Sequence, residues 1–176
     1  PMTALTPSRN TRSALVLGTL ALLCLSFGWP TDSWAKPDQI SKAFKGKILL
    51  SEDALPAPDP EDAKGTIRTY RSQALKTITS EVVDGVATWR FHFTAFFKTK
   101  PKTSNLRLEF YTDDKEKLFV ADKRLTGADP NLLILASSVR ISEDENLNRN
   151  RKYVVKLVAA KGKKSVLLAT TKIATK

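Results

Sequence analysis

The chain has 176 residues with a formal net charge of +11, one cysteine and one histidine. This length suits one domain with a sizeable core, and a single thiol and a single imidazole exclude a zinc site built from clustered ligands. The seven glycines are scattered along the chain, which excludes a phosphate-binding loop or a dinucleotide fingerprint.

The N-terminal segment has the three parts of a secretory signal peptide. Arg9 and Arg12 form a basic region, Ser13–Gly28 is an uncharged and largely apolar run, and Ser33-Trp34-Ala35 places small residues before a cleavage site. We therefore predict that residues 1–35 are a cleavable signal peptide and that the mature protein is secreted or periplasmic. The apolar run is short for a bilayer-spanning helix, which needs about 20 residues, so no membrane span is expected in the mature chain.

Cleavage after Ala35 also removes the only cysteine. Cys24 lies in the apolar run, so the mature chain has no disulfide, although the exported compartment would permit one.

Two alternatives to a cleaved signal peptide stay open from the sequence. The segment could be retained as a membrane anchor, or it could carry a lipid on Cys24, although Leu23 stands where a lipoprotein signal has a small residue.

The first part of the mature chain combines one short strand with a long loop. Residues 36–45 are predicted to be a flexible lead-in or a single helical turn, and Lys47–Ser51, with the sequence KILLS, predicts the first strand. Residues 52–65 contain three prolines among five acidic residues. Prolines at alternate positions favour extended polyproline-like backbone and are excluded from a central strand. This segment is therefore predicted to be an acidic loop that is either functional or mobile.

A β-hairpin centred on Asp84-Gly85 is the strongest local signal. This dipeptide supplies the positive φ angles of a type I′ turn, and it sets a register with Val83 opposite Val86 and Ile78 opposite Phe91. Both strands then agree on a single apolar face, which predicts a half-buried sheet. The residues of that face are Ile78, Val82, Ala87, Trp89, Phe91, Phe93 and Ala95.

Further strands follow up to the last residues. No long stretch has a convincing helical period, although residues 70–82 fit either a helix or a strand. We therefore predict one all-β domain, residues 46–176, built as a β-sandwich. Alternation predicts strands at 106–111, 118–122 and 133–141, and a second hairpin that joins 153–160 to 165–173 with its turn near Gly162.

A local pattern near the last strands refines this fold. Leu147 and Tyr153 precede the apolar strand VVKLVA in a spacing that resembles the tyrosine corner of fibronectin type III and immunoglobulin-like sandwiches. Arg149 and Arg151 stand where the type III family has a proline and a small polar residue. The resemblance implies a tyrosine hydroxyl bonded to the preceding loop, and it implies no activity. We expect an antiparallel, immunoglobulin-like β-sandwich of about 7–8 strands.

The sequence has no recognisable catalytic or metal-binding set. His92 is the only imidazole and lies on a strand with aromatic neighbours, and the nucleophile motif G-x-S-x-G does not occur. Asp144 begins a run of alternating Asp and Asn residues as in a calcium loop, but Arg149 replaces the required glycine and Val155 replaces the bidentate glutamate. We therefore expect a non-enzymatic protein without a cofactor or a metal site.

The stretch WRFHFTAFFKTKPK, residues 89–102, combines aromatic and basic residues on opposite faces. Stacking of bases on aromatic rings beside cations needs both on one face. The stretch is therefore interpreted as a core strand, with His92 as a surface neighbour of Thr77 and with Phe96 alone among the charges. In an extended strand, Trp89, Phe91, Phe93 and Phe97 point one way and Arg90, His92, Lys98 and Lys100 point the other.

The charge distribution leaves two functions open. The first is a structural or protein-interaction (adaptor) module of the bacterial envelope or periplasm, which pairs with another envelope protein. The alternative is a binding module for an anionic polymer (glycan, lipid headgroup or nucleic acid), because the segment from Arg151 onward has eight Lys or Arg and no acid. Such lysines can also serve only to discourage edge-to-edge strand pairing. The predicted polyanion contacts are Arg90, Lys98, Lys100, Lys102, Lys156, Lys161, Lys163 and Lys164.

Overall fold

The computed structural model describes residues 39–161 and 164–176 of the chain. The predicted signal peptide, residues 1–35, and the turn predicted near Gly162 lie outside the described residues. A 3-10 helix, Glu143–Glu145, precedes the last two strands. The other elements, in chain order, are α1 (Gln39–Phe44), β1 (Ile48–Ser51), α2 (Ala63–Gln73), β2 (Thr77–Ile78), β3 (Ser80–Val83), β4 (Val86–Phe96), β5 (Leu106–Thr112), β6 (Phe119–Leu125), β7 (Ile134–Ser142), β8 (Lys152–Lys161) and β9 (Lys164–Thr175).

The strands form two sheets, which confirms the prediction of a mainly β protein with two sheets. In the first sheet, β4 pairs with β7 along one edge and with β1 and then β3 along the other. The second sheet has the order β2-β9-β8-β5-β6, in which β2 runs parallel to β9 and the other neighbours are antiparallel. The described residues thus contain nine strands, more than the 7–8 predicted, because residues 77–83, predicted as one hairpin strand, form two strands, β2 and β3.

The main core lies between the two sheets and is lined by alternate residues of the central strands. β4 contributes Trp89, Phe91 and Phe93, and β5 contributes Leu106, Leu108 and Phe110, all at most 1% exposed. The predicted period of two is therefore confirmed in both strands. Burial of each such side chain stabilises a fold by roughly 1.5–3 kcal/mol. The indole Nε1 of Trp89 donates to the carbonyl of Lys176 at 3.1 Å, so this buried polar group keeps a partner.

The hairpin forms at Asp84-Gly85 with the predicted register at its tip. Asp84 and Gly85 have φ angles of 53° and 83°, as a type I′ turn requires, and Val83 pairs with Val86. Val82 is 66% exposed, so its predicted place on the buried face is wrong. The residue lies in β3, a short strand at the edge of the first sheet, and only its partner Ala87 on β4 is buried in the core.

The predicted pairing of Ile78 with Phe91 is also wrong. β3 pairs with β4 only from Ser80 onward, and Ile78 pairs with Thr175 of β9 in the second sheet. The chain thus changes sheets between β2 and β3. Ile78 is nevertheless buried in the main core, because that core is shared by both sheets.

The neighbours of His92 differ from the prediction for the same reason. β1, rather than the segment around Thr77, lies beside this part of β4, and it places Ser51 opposite His92. On the other side of β4, His92 pairs with Ser138 of β7. His92 is therefore a half-buried residue of the outer face of the first sheet, flanked by two serines.

Helix α2 occupies the end of the predicted acidic loop and the start of the ambiguous segment 70–82. The Asp62 carboxylate caps this helix by accepting a hydrogen bond from the amide of Gly65 at 2.9 Å. Only Thr66 and Tyr70 of α2 are buried, so its sequence lacks the broad apolar stripe by which a helix is recognised. None of the described helices is long and apolar enough to span a membrane.

The two helices cover Phe96, the aromatic residue that points away from the main core. α1 lies in the segment 36–45, where a lead-in or a helical turn is predicted. The ring of Phe44 in α1 is 5.1 Å from the ring of Phe96, and that of Tyr70 in α2 is 6.2 Å away, centroid to centroid. The Tyr70 hydroxyl donates to the carbonyl of Pro56 at 2.6 Å. The proline-rich loop is thereby fastened to this second, smaller core.

The hydrogen bond implied by the tyrosine corner is present. The Tyr153 hydroxyl accepts from the amide of Asn148 at 2.8 Å and lies 3.4 Å from its carbonyl oxygen. Leu147 and Tyr153 are both buried in the main core. Tyr153 therefore holds the loop between β7 and β8 against the start of β8, and Thr175 of β9 also bonds to the Asn148 carbonyl, at 2.6 Å.

Candidate functional site

The basic residues predicted to contact a polyanion lie on opposite sides of the two sheets. On β4, Arg90 lies between the buried residues Trp89 and Phe91, so it points away from the core on the outer face of the first sheet. On β8, Lys156 lies between two buried residues and points outward from the second sheet. Arg90 and Lys156 therefore point in opposite directions.

The other predicted contacts lie near the ends of strands. Lys98, Lys100 and Lys102 are exposed in the segment that follows β4, and Lys164 is exposed at the start of β9. The side chains of Lys161 and Lys163 are outside the described part of the chain. Arg90 lies 3.7 Å from the Glu81 carboxylate in an exposed ion pair.

A different surface combines aromatic and basic side chains on one face. The register of β6, β5, β8 and β9 sets outward residues side by side: Phe119 beside Tyr111, Glu109 beside Lys156, and Arg107 between Arg124 and Val158. Leu167 of β9 lies opposite Val158, so it extends the row of Arg124, Arg107 and Val158 across the sheet. We name this surface the aromatic–basic face and define it by Arg107, Tyr111, Phe119, Arg124, Lys156 and Leu167.

One end of the aromatic–basic face holds a cluster of two rings and one cation. The rings of Tyr111 and Phe119 meet edge to face, with centroids 5.7 Å apart and an interplanar angle of 76°. The ammonium group of Lys156 lies 4.0 Å from the centroid of the Tyr111 ring, within the range of a cation–π interaction. Phe119 is 56% exposed. A bound partner would therefore cover apolar surface here.

A buried carboxylate beneath this cluster fixes the positions of two of its members. Glu109 is only 7% exposed, and its Oε2 accepts from the Tyr111 hydroxyl at 2.9 Å. Its Oε1 lies 3.2 Å from the guanidinium of Arg107. Burial, together with the hydrogen bond to Glu109, raises the pKa of Tyr111 above its ordinary value. The phenol therefore remains a neutral hydrogen-bond donor at physiological pH.

Arg107 has donor capacity beyond its pair with Glu109. Its Nε is buried and has no hydrogen-bond partner among the described residues, whereas the side chain as a whole is 41% exposed. A buried donor left unpaired is costly. A small turn of the guanidinium toward an acceptor on a bound partner would relieve that cost.

The geometry around His92 does not activate a nucleophile. Ser51 lies opposite His92 on the neighbouring strand, but its buried Oγ has no hydrogen-bond partner in the described chain. A serine nucleophile needs a base within hydrogen-bonding distance. Among the described residues, no group of three or more His, Cys, Asp or Glu side chains could hold a metal ion.

The sequence indicates only part of the aromatic–basic face. Lys156 is among the predicted polyanion contacts, but Arg107, Tyr111 and Phe119 are not. The alternation of residues 106–111 already marks Arg107 and Tyr111 as outward-facing. Alternation does not show that β5 pairs with β6 and β8, and this pairing is what places Arg107 and Tyr111 near Phe119 and Lys156.

Neither the protein-family models nor the curated proteins with which the chain was compared give a match.

Proposed function

We propose that this protein is an exported, non-enzymatic adaptor of the bacterial envelope or periplasm, which binds a partner protein through its aromatic–basic face. The export part rests on the signal-peptide pattern of residues 1–35. The binding part rests on the cluster of Tyr111, Phe119 and Lys156. Exposed Tyr, Phe and Arg side chains are enriched at protein interfaces, and Tyr and Arg dominate their binding energy.

The partner surface that fits has two apolar areas with carboxylates between them. Phe119 and Leu167 are 56% and 40% exposed on the aromatic–basic face, and both would gain from contact with apolar side chains. Arg107 and Lys156 lie on the two strands between them, Arg124 lies beside Arg107, and all three would face carboxylates. Electrostatic complementarity of this kind sets the orientation and speed of binding more than its strength.

We further assign the domain to the immunoglobulin-like sandwiches. Let β4, β5, β7, β8 and β9 stand for strands B, C, E, F and G of that fold. B then pairs with E, and F lies between C and G, as in immunoglobulin domains. The hydrogen bond from Tyr153 at the start of F to the preceding loop is a second supporting feature. This assignment concerns the fold and carries no activity with it.

A protein partner fits the aromatic–basic face better than a polyanion. A polyanion is held by cations along one surface, whereas Arg90 and Lys156 point in opposite directions. The aromatic–basic face also includes the carboxylates of Glu109 and Asp122 in one row of neighbouring strands. Those acids would weaken the attraction of a phosphate or sulfate backbone, which is charged along its whole length, more than that of a protein partner, whose apolar contacts with Phe119 they leave unaffected.

The experiment that tests this function is a pull-down from envelope extract with the wild-type protein and two variants. Phe119→Ser removes the exposed ring from the aromatic–basic face. Val82→Ser is the control, since Val82 is 66% exposed, more than Phe119, but lies in the hairpin of the first sheet. Each pull-down is washed in low and in high salt.

We expect a protein partner that survives the high-salt wash with the wild type and with Val82→Ser, and that is lost with Phe119→Ser. Partners retained equally by both variants would overturn the assignment of the face. Bound material that the high-salt wash removes from all three proteins would instead support the anionic polymer, because such binding weakens steeply with salt.

A further inference from the structure

A groove opens where the outer edge of β9 is only partly covered. Lys47 bridges Thr170 near one end of this edge, and Thr77 pairs with Ala174 near the other. Between these two points, no described residue pairs with residues 171–173 of β9 on this edge. The chain leaves β9 after Lys47, runs through β1 and α2, and returns only at Thr77. The gap is the result of this detour.

The gap leaves a backbone donor directed into the groove. The amides of Thr170 and Ala174 both donate across this edge, to the carbonyls of Gly46 at 3.0 Å and Lys76 at 2.9 Å. Backbone groups along a strand alternate between its two edges. The amide of Lys172, midway between these two donors, therefore points to the same edge, where the groove replaces a strand.

The groove has an apolar floor and a volume suited to a small ligand. Its volume is about 600 Å³, within the range of roughly 300–1,000 Å³ that is usual for small-molecule sites. Ile48, Leu75 and Ile173 line it, and all three pack in or against the main core. Ile48 and Ile173 are only 2% and 3% exposed, so the half-buried Leu75 offers most of the apolar surface that a ligand would contact.

The rim of the groove is basic. Arg71, Lys76, Lys152 and Lys172 line it, and Asp113 is the acidic residue among the lining residues. The Asp113 carboxylate lies 2.8 Å from the ammonium of Lys172. The other three cations are exposed and form no ion pair among the described residues, so an anion at the rim would be attracted without displacing a partner.

We propose that this groove binds a single-chain amphiphile with an anionic head group. The apolar chain lies on Ile48, Leu75 and Ile173, and the head group is held at the rim by Arg71 and Lys76 with the amide of Lys172 as a hydrogen-bond donor. This site is separate from the aromatic–basic face, and its occupation does not depend on a partner protein.

The test is a titration of the full chain with decanoate and with decyl phosphate, followed through backbone amide shifts in NMR spectra and by calorimetry. Decanol and decyltrimethylammonium provide the uncharged and cationic comparisons. Arg71→Glu reverses one charge of the rim. Arg68→Glu is its matched control, because Arg68 is an exposed arginine of the same helix that does not line the groove.

We expect at least one of the two anions to bind, with the Lys172 amide among the shifted signals and with decanol and the cation binding more weakly. Arg71→Glu should weaken binding at least about threefold, as expected for an exposed charge contact, and Arg68→Glu should leave it unchanged. Binding of neither anion, equal effects of the two variants, or shifts confined to other surfaces would overturn the proposal.

Discussion

The ammonium group of Lys156 lies 4.0 Å from the centre of the Tyr111 ring. The two residues belong to β8 and β5, and the ring of Phe119 on β6 meets Tyr111 from the other side. A cation, a phenol and an exposed phenylalanine therefore share one surface. The stretch of residues 89–102 has more aromatic residues, but their rings are buried and its cations face elsewhere.

Replacement of Tyr153 by phenylalanine should destabilise the domain by about 0.5–1.5 kcal/mol, the usual net contribution of a hydrogen bond. The change removes both hydrogen bonds between its hydroxyl and the backbone of Asn148. Urea denaturation gives the free energy of unfolding. Wild-type stability of Tyr153→Phe would contradict this account of the loop between β7 and β8.

Replacement of Phe96 by alanine should destabilise the domain by about 3–5 kcal/mol, as is usual for a buried phenylalanine. The change leaves a cavity between α1, α2 and the outer face of the first sheet. Far-ultraviolet circular dichroism during denaturation should show the helices lost before the sheets. His92→Ala on the same strand and face is the control, since His92 is half-buried. A loss below about 1 kcal/mol for Phe96→Ala would show that the helices do not pack there.

Acidification should weaken the ion pair between Lys123 and Glu145. Burial would raise the pKa of Glu145, but hydrogen bonds from Lys123 and from the amide of Ser142 outweigh burial and lower it below its ordinary value. A carboxylate whose pKa is lower in the folded than in the unfolded chain stabilises the fold at pH values above its pKa in the unfolded chain. That contribution disappears as the pH falls through the folded pKa.

The variant Glu145→Gln should therefore be less stable than the wild type near neutral pH and equally stable in acid. The difference in the free energy of unfolding should stay below about 1 kcal/mol, because the ion pair is partly exposed and screened. Urea denaturation at a series of pH values from neutral to acid measures this difference. Glu143→Gln, in the same 3-10 helix, is the control. A difference between Glu145→Gln and wild type that is constant with pH would contradict the linkage.

Much of the sheet structure can be predicted from local sequence. The alternation around Trp89 and Phe91 identifies the buried face of β4, and Asp84-Gly85 identifies the turn, because both depend on neighbouring residues alone. The place of Ile78 cannot be found in this way. It depends on a crossing between sheets that pairs Ile78 with Thr175, a residue far along the chain.

The helices and the candidate site depend on contacts that local patterns do not specify. Phe96 is an aromatic residue among charges until α1 and α2 are packed over it, and α2 itself has too few buried residues to show a helical period. In the aromatic–basic face, alternation gives the direction of Tyr111 but not its neighbours. Those neighbours follow from strand register, which is set by pairing between distant segments.

The most direct test of the aromatic–basic face is site-specific photo-crosslinking in envelope extract. A benzoylphenylalanine placed at position 119 is compared with one at position 82, where Val82 is also exposed but lies on the other sheet. We predict a covalent adduct with a partner protein from position 119 and none from position 82. Adducts from position 82 alone, equal adducts from both positions, or none from position 119 would contradict the account.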